Sequence, residues 1–221
     1  MRIFASRTLR AVLLATVTLP WACTAADVPE RFVLDQHYKA VRQPQAPADR
    51  TKVEVMEVFS YSCPHCFHFE PMVVKWLSTK PSGVVFVRQP WSLGQPAALP
   101  RSRAVFAAEQ LGVFETFHKA LFGAIHGQGK VMATESDLEN LFVTSTGLDA
   151  QQYRGAYSGF ATDNHVRRGE NLVRDLGLTS VPNIVVDGRW FINGTTAGGN
   201  EKIFDVVGFL ISKVKAERKI P

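Results

Sequence analysis

Residues 96–171 carry helical signals only, and they interrupt a chain that reads as mixed strand and helix on both sides. Upstream, Val53–Phe59 is β-branched and aromatic with partial period-2 alternation, which predicts a strand. From Cys66 the apolar spacing becomes helical, with Phe69, Val73, Trp76 and Leu77 on one face. A helix over 63–79 and a strand over 84–88 complete a βαβ unit, and Pro71 should kink that helix. Residues 38–41 are a further short strand candidate, followed by a loop marked by Pro44 and Pro47. Downstream, residues 183–186 and 189–192 flank Asp187-Gly188, a dipeptide suited to a tight hairpin turn. A last helix over 200–216 carries Ile203, Val207, Leu210 and Val214 inward. The interrupting block is far longer than a connecting loop in a compact domain. Its helices are expected at 101–111, 113–126, 136–146, 149–157 and 158–176, punctuated by Gly112, Gly127, Gly129 and Gly147. Phe114, Phe117, Leu121 and Ile125 form an apolar stripe that reads as core. The fold class is therefore α/β: a sheet domain assembled from 27–95 and 172–221, with an all-helical subdomain, 96–171, inserted.

The chemistry of this frame lies at Ser62-Cys63-Pro64-His65-Cys66-Phe67, where the strand ends and the helix begins. A disulfide between Cys63 and Cys66 would close too short a ring to contribute much as a staple. Its value is chemical: two sulfurs cycling between dithiol and disulfide, one attacking a partner and the other resolving it. Pro64 suits a first helical turn, where its missing N–H costs nothing. The helix start favours an anion on Cys63, and His65 would add to that effect. The competing reading of a CxxC pair is zinc, which needs about four ligands. His37, His118, His126 and His165 form no paired spacing, and His65 and His68 lie on the motif's own helix. No metal site is expected, and no cofactor beyond the redox-active pair itself.

Arg2, Arg7 and Arg10 accompany a short apolar run over 11–19, and small residues follow at Thr24-Ala25-Ala26. Residues 1–26 thus read as a secretory signal, too short in its apolar part to span a bilayer. Cleavage after Ala25 or Ala26 would remove Cys23, leaving Cys63 and Cys66 as the mature cysteines. Lipidation of Cys23 is the alternative, and bulky Trp21 disfavours it. Losing three arginines and no acid lowers the formal charge from +5 to +2. With no Lys/Arg cluster interleaved with aromatics, nucleic-acid binding is not expected.

The order βαβ, helical block, ββα, with CxxC after the first core strand, resembles the thioredoxin fold. With Cys63-Pro64-His65-Cys66, the insertion and the secretory signal, the chain resembles the DsbA family of periplasmic disulfide oxidants over nearly its whole mature length. The resemblance implies a periplasmic thiol:disulfide oxidoreductase that donates its disulfide to unfolded cysteine-containing secreted proteins and is reoxidised by a membrane partner of the DsbB type. It assigns catalytic roles to Cys63, Cys66, Pro64 and His65. It matches Pro182, in Ser180-Val181-Pro182-Asn183, to a cis proline opposite the active site, and gives Val181 and Pro182 to substrate binding. It matches Glu57, six residues before Cys63, to a carboxylate beneath the site. Alternation puts Glu57 on the face of Val53, Val55 and Phe59, where burial would raise its pKa and let it relay a proton for Cys66. Phe67, His68 and Trp91 are candidates for an apolar groove beside the motif. A reductase or isomerase, and a non-catalytic chaperone on the same fold, are the alternatives. Isomerases of this superfamily usually carry an added N-terminal dimerisation domain, and only about 25 residues separate the presumed cleavage site from the first core strand. The resemblance implies a monomer.

Overall fold

In the computed structural model the structure describes residues 31–221. The signal segment and Cys23 lie outside the described residues. Five strands form one mixed sheet: β1 (Lys39–Ala40), β2 (Val53–Phe59), β3 (Val84–Pro90), β4 (Asn183–Val186) and β5 (Trp190–Ile192), in the order β1-β5-β4-β2-β3. β2 pairs parallel with β3 and antiparallel with β4, so strands from both ends of the chain meet along β2. β2 is buried along nearly all its length, as expected for a strand covered on two faces.

Alternation along β2 sorts the core. Val53 and Val55 pack with Phe69 and Val73 of α1 (Pro64–Leu77) and with Val207, Leu210 and Val214 of α8 (Ile203–Arg218). Met56 and Val58 face the other way, toward Val173 and Leu176 near the end of α6 (Phe160–Leu176). α2 (Leu99–Gln110), α3 (Phe114–Phe122), α4 (Glu135–Thr146) and α5 (Ala150–Tyr157) pack on one another around a separate cluster that includes Phe117, Leu121, Phe142 and Tyr153. Phe59, Tyr61, Cys63 and Cys66 belong to that same cluster. The two cysteines of the motif are thus packed against the helical block although the motif springs from the sheet.

Three local features differ from expectation. The helix expected over 113–126 is α-helical only to Phe122 and continues as a π-helical turn over Gly123–Gly127. A one-turn helix, α7 (Gly194–Ala197), follows β5 where none was expected. Its cap is Asn193, whose side chain accepts from the N–H groups of Thr195 and Thr196. The last helix is preceded by a 3-10 turn at Asn200–Lys202. Each is a one-turn choice set by capping or packing, below the resolution of apolar periodicity.

Candidate active site

β2 delivers the chain to Ser60, and the redox loop turns into α1 at Cys63, which caps the helix with extended backbone angles (φ −96°, ψ 113°). The Cys63 N–H donates to the Ser60 carbonyl at 3.0 Å, and the Cys63 carbonyl accepts from Cys66 and Phe67 at 3.1 and 3.3 Å. Pro64 occupies the first turn, where no N–H is needed. The Cys63 sulfur therefore sits at the positive end of the helix dipole. Both cysteines are free thiols, the reduced state of the pair. They differ in access: Cys63 is 9% exposed and Cys66 0%. Burial, first of all, pushes the Cys66 thiol well up; the Ser60 backbone opposes this, and Cys63 and Glu57 reinforce it. Pro64 and His65 lie on the exposed side of the turn.

Across from the motif, the Val181–Pro182 peptide is cis. The Val181 carbonyl oxygen lies 3.9 Å from Cys63 Sγ, a contact between the motif and the segment that leads into β4. Asn183, next in the chain, begins β4 and pairs with Val58.

Beneath the site, Glu57 is fully buried on the β2 face that it shares with Val53, Val55 and Phe59. Parallel register sets Arg88 of β3 beside it. Arg88 Nη1 lies 3.3 Å from Glu57 Oε2, 2.8 Å from Glu70 Oε1 and 2.6 Å from His118 Nε2. His118 Nε2 also lies 3.2 Å from Glu70 Oε1, so it is shared between the arginine and the carboxylate, leaving Nδ1 for a further partner. That nitrogen is 2.7 Å from the Tyr61 hydroxyl. Burial, more than any other influence, lowers the His118 pKa, with the Glu70 hydrogen bond pulling the other way. Glu57 moves the other way: burial, then the Glu70 charge, raises it to about 8 against the pull of Arg88. Its Oε1 is buried without a hydrogen-bond partner, which is why one arginine shared among three groups does not keep it ionised. Burial also pushes Glu70 up, but His118 and Arg88 outweigh it and hold Glu70 below its usual range.

A groove of about 490 Å³ opens beside the motif between α1 and α3. Phe67, His68, Pro71 and Val74 form one wall, and Glu115, Lys119 and Phe122 the other. Val74 is 57% exposed there, with no protein neighbour covering it. Trp91 is not part of this groove. It packs with the core on the opposite sheet face and lines a separate cleft with Arg42, Glu170, Arg174 and Leu178.

Sequence reading missed the residues that reach the motif from elsewhere. His126 stacks on Phe67 at 5.2 Å and donates from Nε2 to the Tyr61 carbonyl at 2.9 Å. His118, Glu70 and Arg88 meet Glu57 only in three dimensions.

Residues 54–203 match the family model described as a DSBA-like thioredoxin domain. The chain is 29% identical over 208 residues to the thiol:disulfide interchange protein DsbA of Pseudomonas aeruginosa, covering 94% of this chain and 98% of that protein. It is 33% identical over 168 residues to the DsbA of Pseudomonas syringae pv. tomato, covering 76% and 78%. The fold superposes on the crystal structure of Pseudomonas aeruginosa DsbA with a TM-score of 0.78 at 30% identity, over 85% of this chain and 97% of that one. Motif, sheet order, helical insertion and sequence agree: the chain belongs to the DsbA-like thioredoxin-domain family.

Proposed function

We propose that this protein is a thiol:disulfide oxidoreductase that passes its Cys63–Cys66 disulfide to cysteine-containing proteins as they fold. The observation that carries this is the asymmetry of the pair, with one sulfur at the rim and at a helix start and the other sealed beneath it. A client thiolate attacks Cys63 Sγ, forming a client–Cys63 disulfide, and the electron pair of the broken Cys63–Cys66 bond goes to Cys66 Sγ. Cys66 takes up a proton there, since its burial disfavours the thiolate. A second client thiolate then attacks the client sulfur, and Cys63 leaves as a thiolate. Two electrons pass from client to protein, and the client keeps the disulfide. Glu57, protonated through most of the neutral range, is the group we assign to proton exchange with Cys66.

Val181 and Pro182 face the attacked sulfur and are assigned to holding the client chain, and Pro64 and His65 to tuning the helix start. The apolar groove beside Phe67 suits both unfolded clients and a membrane reoxidase of the DsbB type. The reading includes a periplasmic, monomeric protein, in line with the signal-like residues 1–26. No helix among the described residues is long and apolar enough to cross a membrane. The test is thermal unfolding of both redox forms with the equilibrium against glutathione. A protein that oxidises clients should melt higher when reduced, because the thiolate stabilised at the helix start is absent from the disulfide. An oxidised form that melts higher would overturn the oxidase reading in favour of a reductase.

A further inference from the structure

Ser62 is tied to the helical block through Arg101, in the first turn of α2. All three arms of its guanidinium are engaged. Nη1 donates to Ser62 Oγ at 2.7 Å, Nη2 to the Val131 carbonyl at 2.7 Å and Nε to the Met132 carbonyl at 3.0 Å. One planar group thus bridges the residue before Cys63 and a loop about 70 residues further along the chain, a fork geometry that lysine cannot reproduce. Met132 is held at φ +47°, an unfavourable angle for a residue with a side chain, next to one of the carbonyls that Arg101 grips. The first turn of α2 has no acidic residue, and a cation there faces the positive end of the helix dipole. The contacts to the loop and to Ser62 offset that disadvantage, so they, not helix stability, explain the placement.

We propose that Arg101 is a positioning residue of the thiol–disulfide exchange: it fixes the Ser62 end of the redox loop and holds a cation on the side chain of the residue before Cys63, whose sulfur departs as a thiolate. This rests on the oxidoreductase reading above. In the reduced protein the cation favours the charge on Cys63 that the disulfide form lacks, so Arg101 biases the couple toward the dithiol and makes the disulfide a stronger oxidant. Fixing Ser62 also keeps Cys63 Sγ at the rim opposite Val181, where a client thiolate can reach it.

The experiment compares wild type, Arg101→Gln and Arg101→Lys in their equilibrium with glutathione and in the rate of oxidation of a two-cysteine peptide. Arg101→Gln should shift the equilibrium about threefold toward the disulfide form, the scale of a half-exposed charge interaction. Arg101→Lys should restore most of the equilibrium, because the charge remains, yet oxidise the peptide more slowly than wild type, because the fork is lost. Stability alone would not move the redox equilibrium in this pattern. An Arg101→Gln equilibrium indistinguishable from wild type would overturn the inference. Should that variant not fold, Ser62→Ala, at an exposed position, removes one arm but keeps the charge: an equilibrium near wild type with slower peptide oxidation supports the role, and an unchanged rate overturns it. The ratio of variant to wild type reads Arg101 whether the wild-type couple is oxidising or reducing. A failure of the oxidase reading, visible in wild type alone, is therefore distinguishable.

Discussion

At the scale of the residue, the two cysteines divide the labour because they differ in burial. Cys66 is out of reach of a client and its thiol resists ionisation, so exchange should run through Cys63. Cys66→Ala should accumulate mixed disulfides with clients, all mapping to Cys63 by mass spectrometry, while Cys63→Ala should trap almost none. Comparable adducts on Cys66 would reverse the assignment. Glu57 makes a second residue-level prediction. Its folded value of about 8 lies above the ordinary 4.5 of a glutamate, so the folded state binds a proton that the unfolded chain gives up. Stability from this group is complete below about pH 4.5 and is lost as pH rises through 8. Glu57→Gln removes the loss while Glu70 remains to neutralise Arg88. The variant's advantage in stability, read from denaturant unfolding, should be small at pH 5 and grow to pH 9, on the order of 2 kcal/mol after allowing for the shared network. A difference that stays flat across that range would show Glu57 to be ionised throughout.

At the scale of the element, the hairpin joining β4 and β5 depends on its turn. Asp187 and Gly188 both have positive φ, 56° and 61°, as a tight hairpin turn of the type favoured by Asp-Gly requires. The Gly188 carbonyl accepts from Gln45, and a Cβ on Gly188 would overlap the Gln45 carbonyl. Gly188→Ala should cost at least about 1–2 kcal/mol from conformation alone. The melting temperature should fall by several degrees, and the glutathione equilibrium should hold, since Val181 lies at the other end of β4. This turn was plain in the sequence because its chemistry is local. So were β2, α1 and the hairpin strands, whose apolar periodicity reports a face that must be buried. The π-helical turn after α3 was not, since 3.6-residue spacing persists through it. Yet that turn carries His126, which holds the Tyr61 carbonyl.

At the scale of the whole molecule, the legible part of the site was the part contiguous in sequence. Cys63, Pro64, His65 and Cys66 form one word, and Glu57 precedes it on the same strand. Arg88, His118, Arg101 and His126 bear on the motif from other elements, and nothing in their own neighbourhoods marks them. They act only because the helical block closes over a loop that the sheet presents. Trp91 shows the converse: an aromatic close in sequence to the β3 end was a groove candidate, but the sheet carries it to the far face.

The joining of the two chain ends along β2 also has a consequence in time. The contact between Cys63 and Val181 spans 118 residues, and β4, the strand between β2 and β5, arrives with it. On the periplasmic reading proposed above, a chain crossing a membrane amino end first would deliver both cysteines well before the segment that carries Val181. Long-range closure of this kind is slow compared with local helix formation. Until the last third of the chain has emerged, the two thiols are those of an unfinished protein, open to any oxidant nearby. On that reading the molecule would begin as a client of the chemistry it later performs.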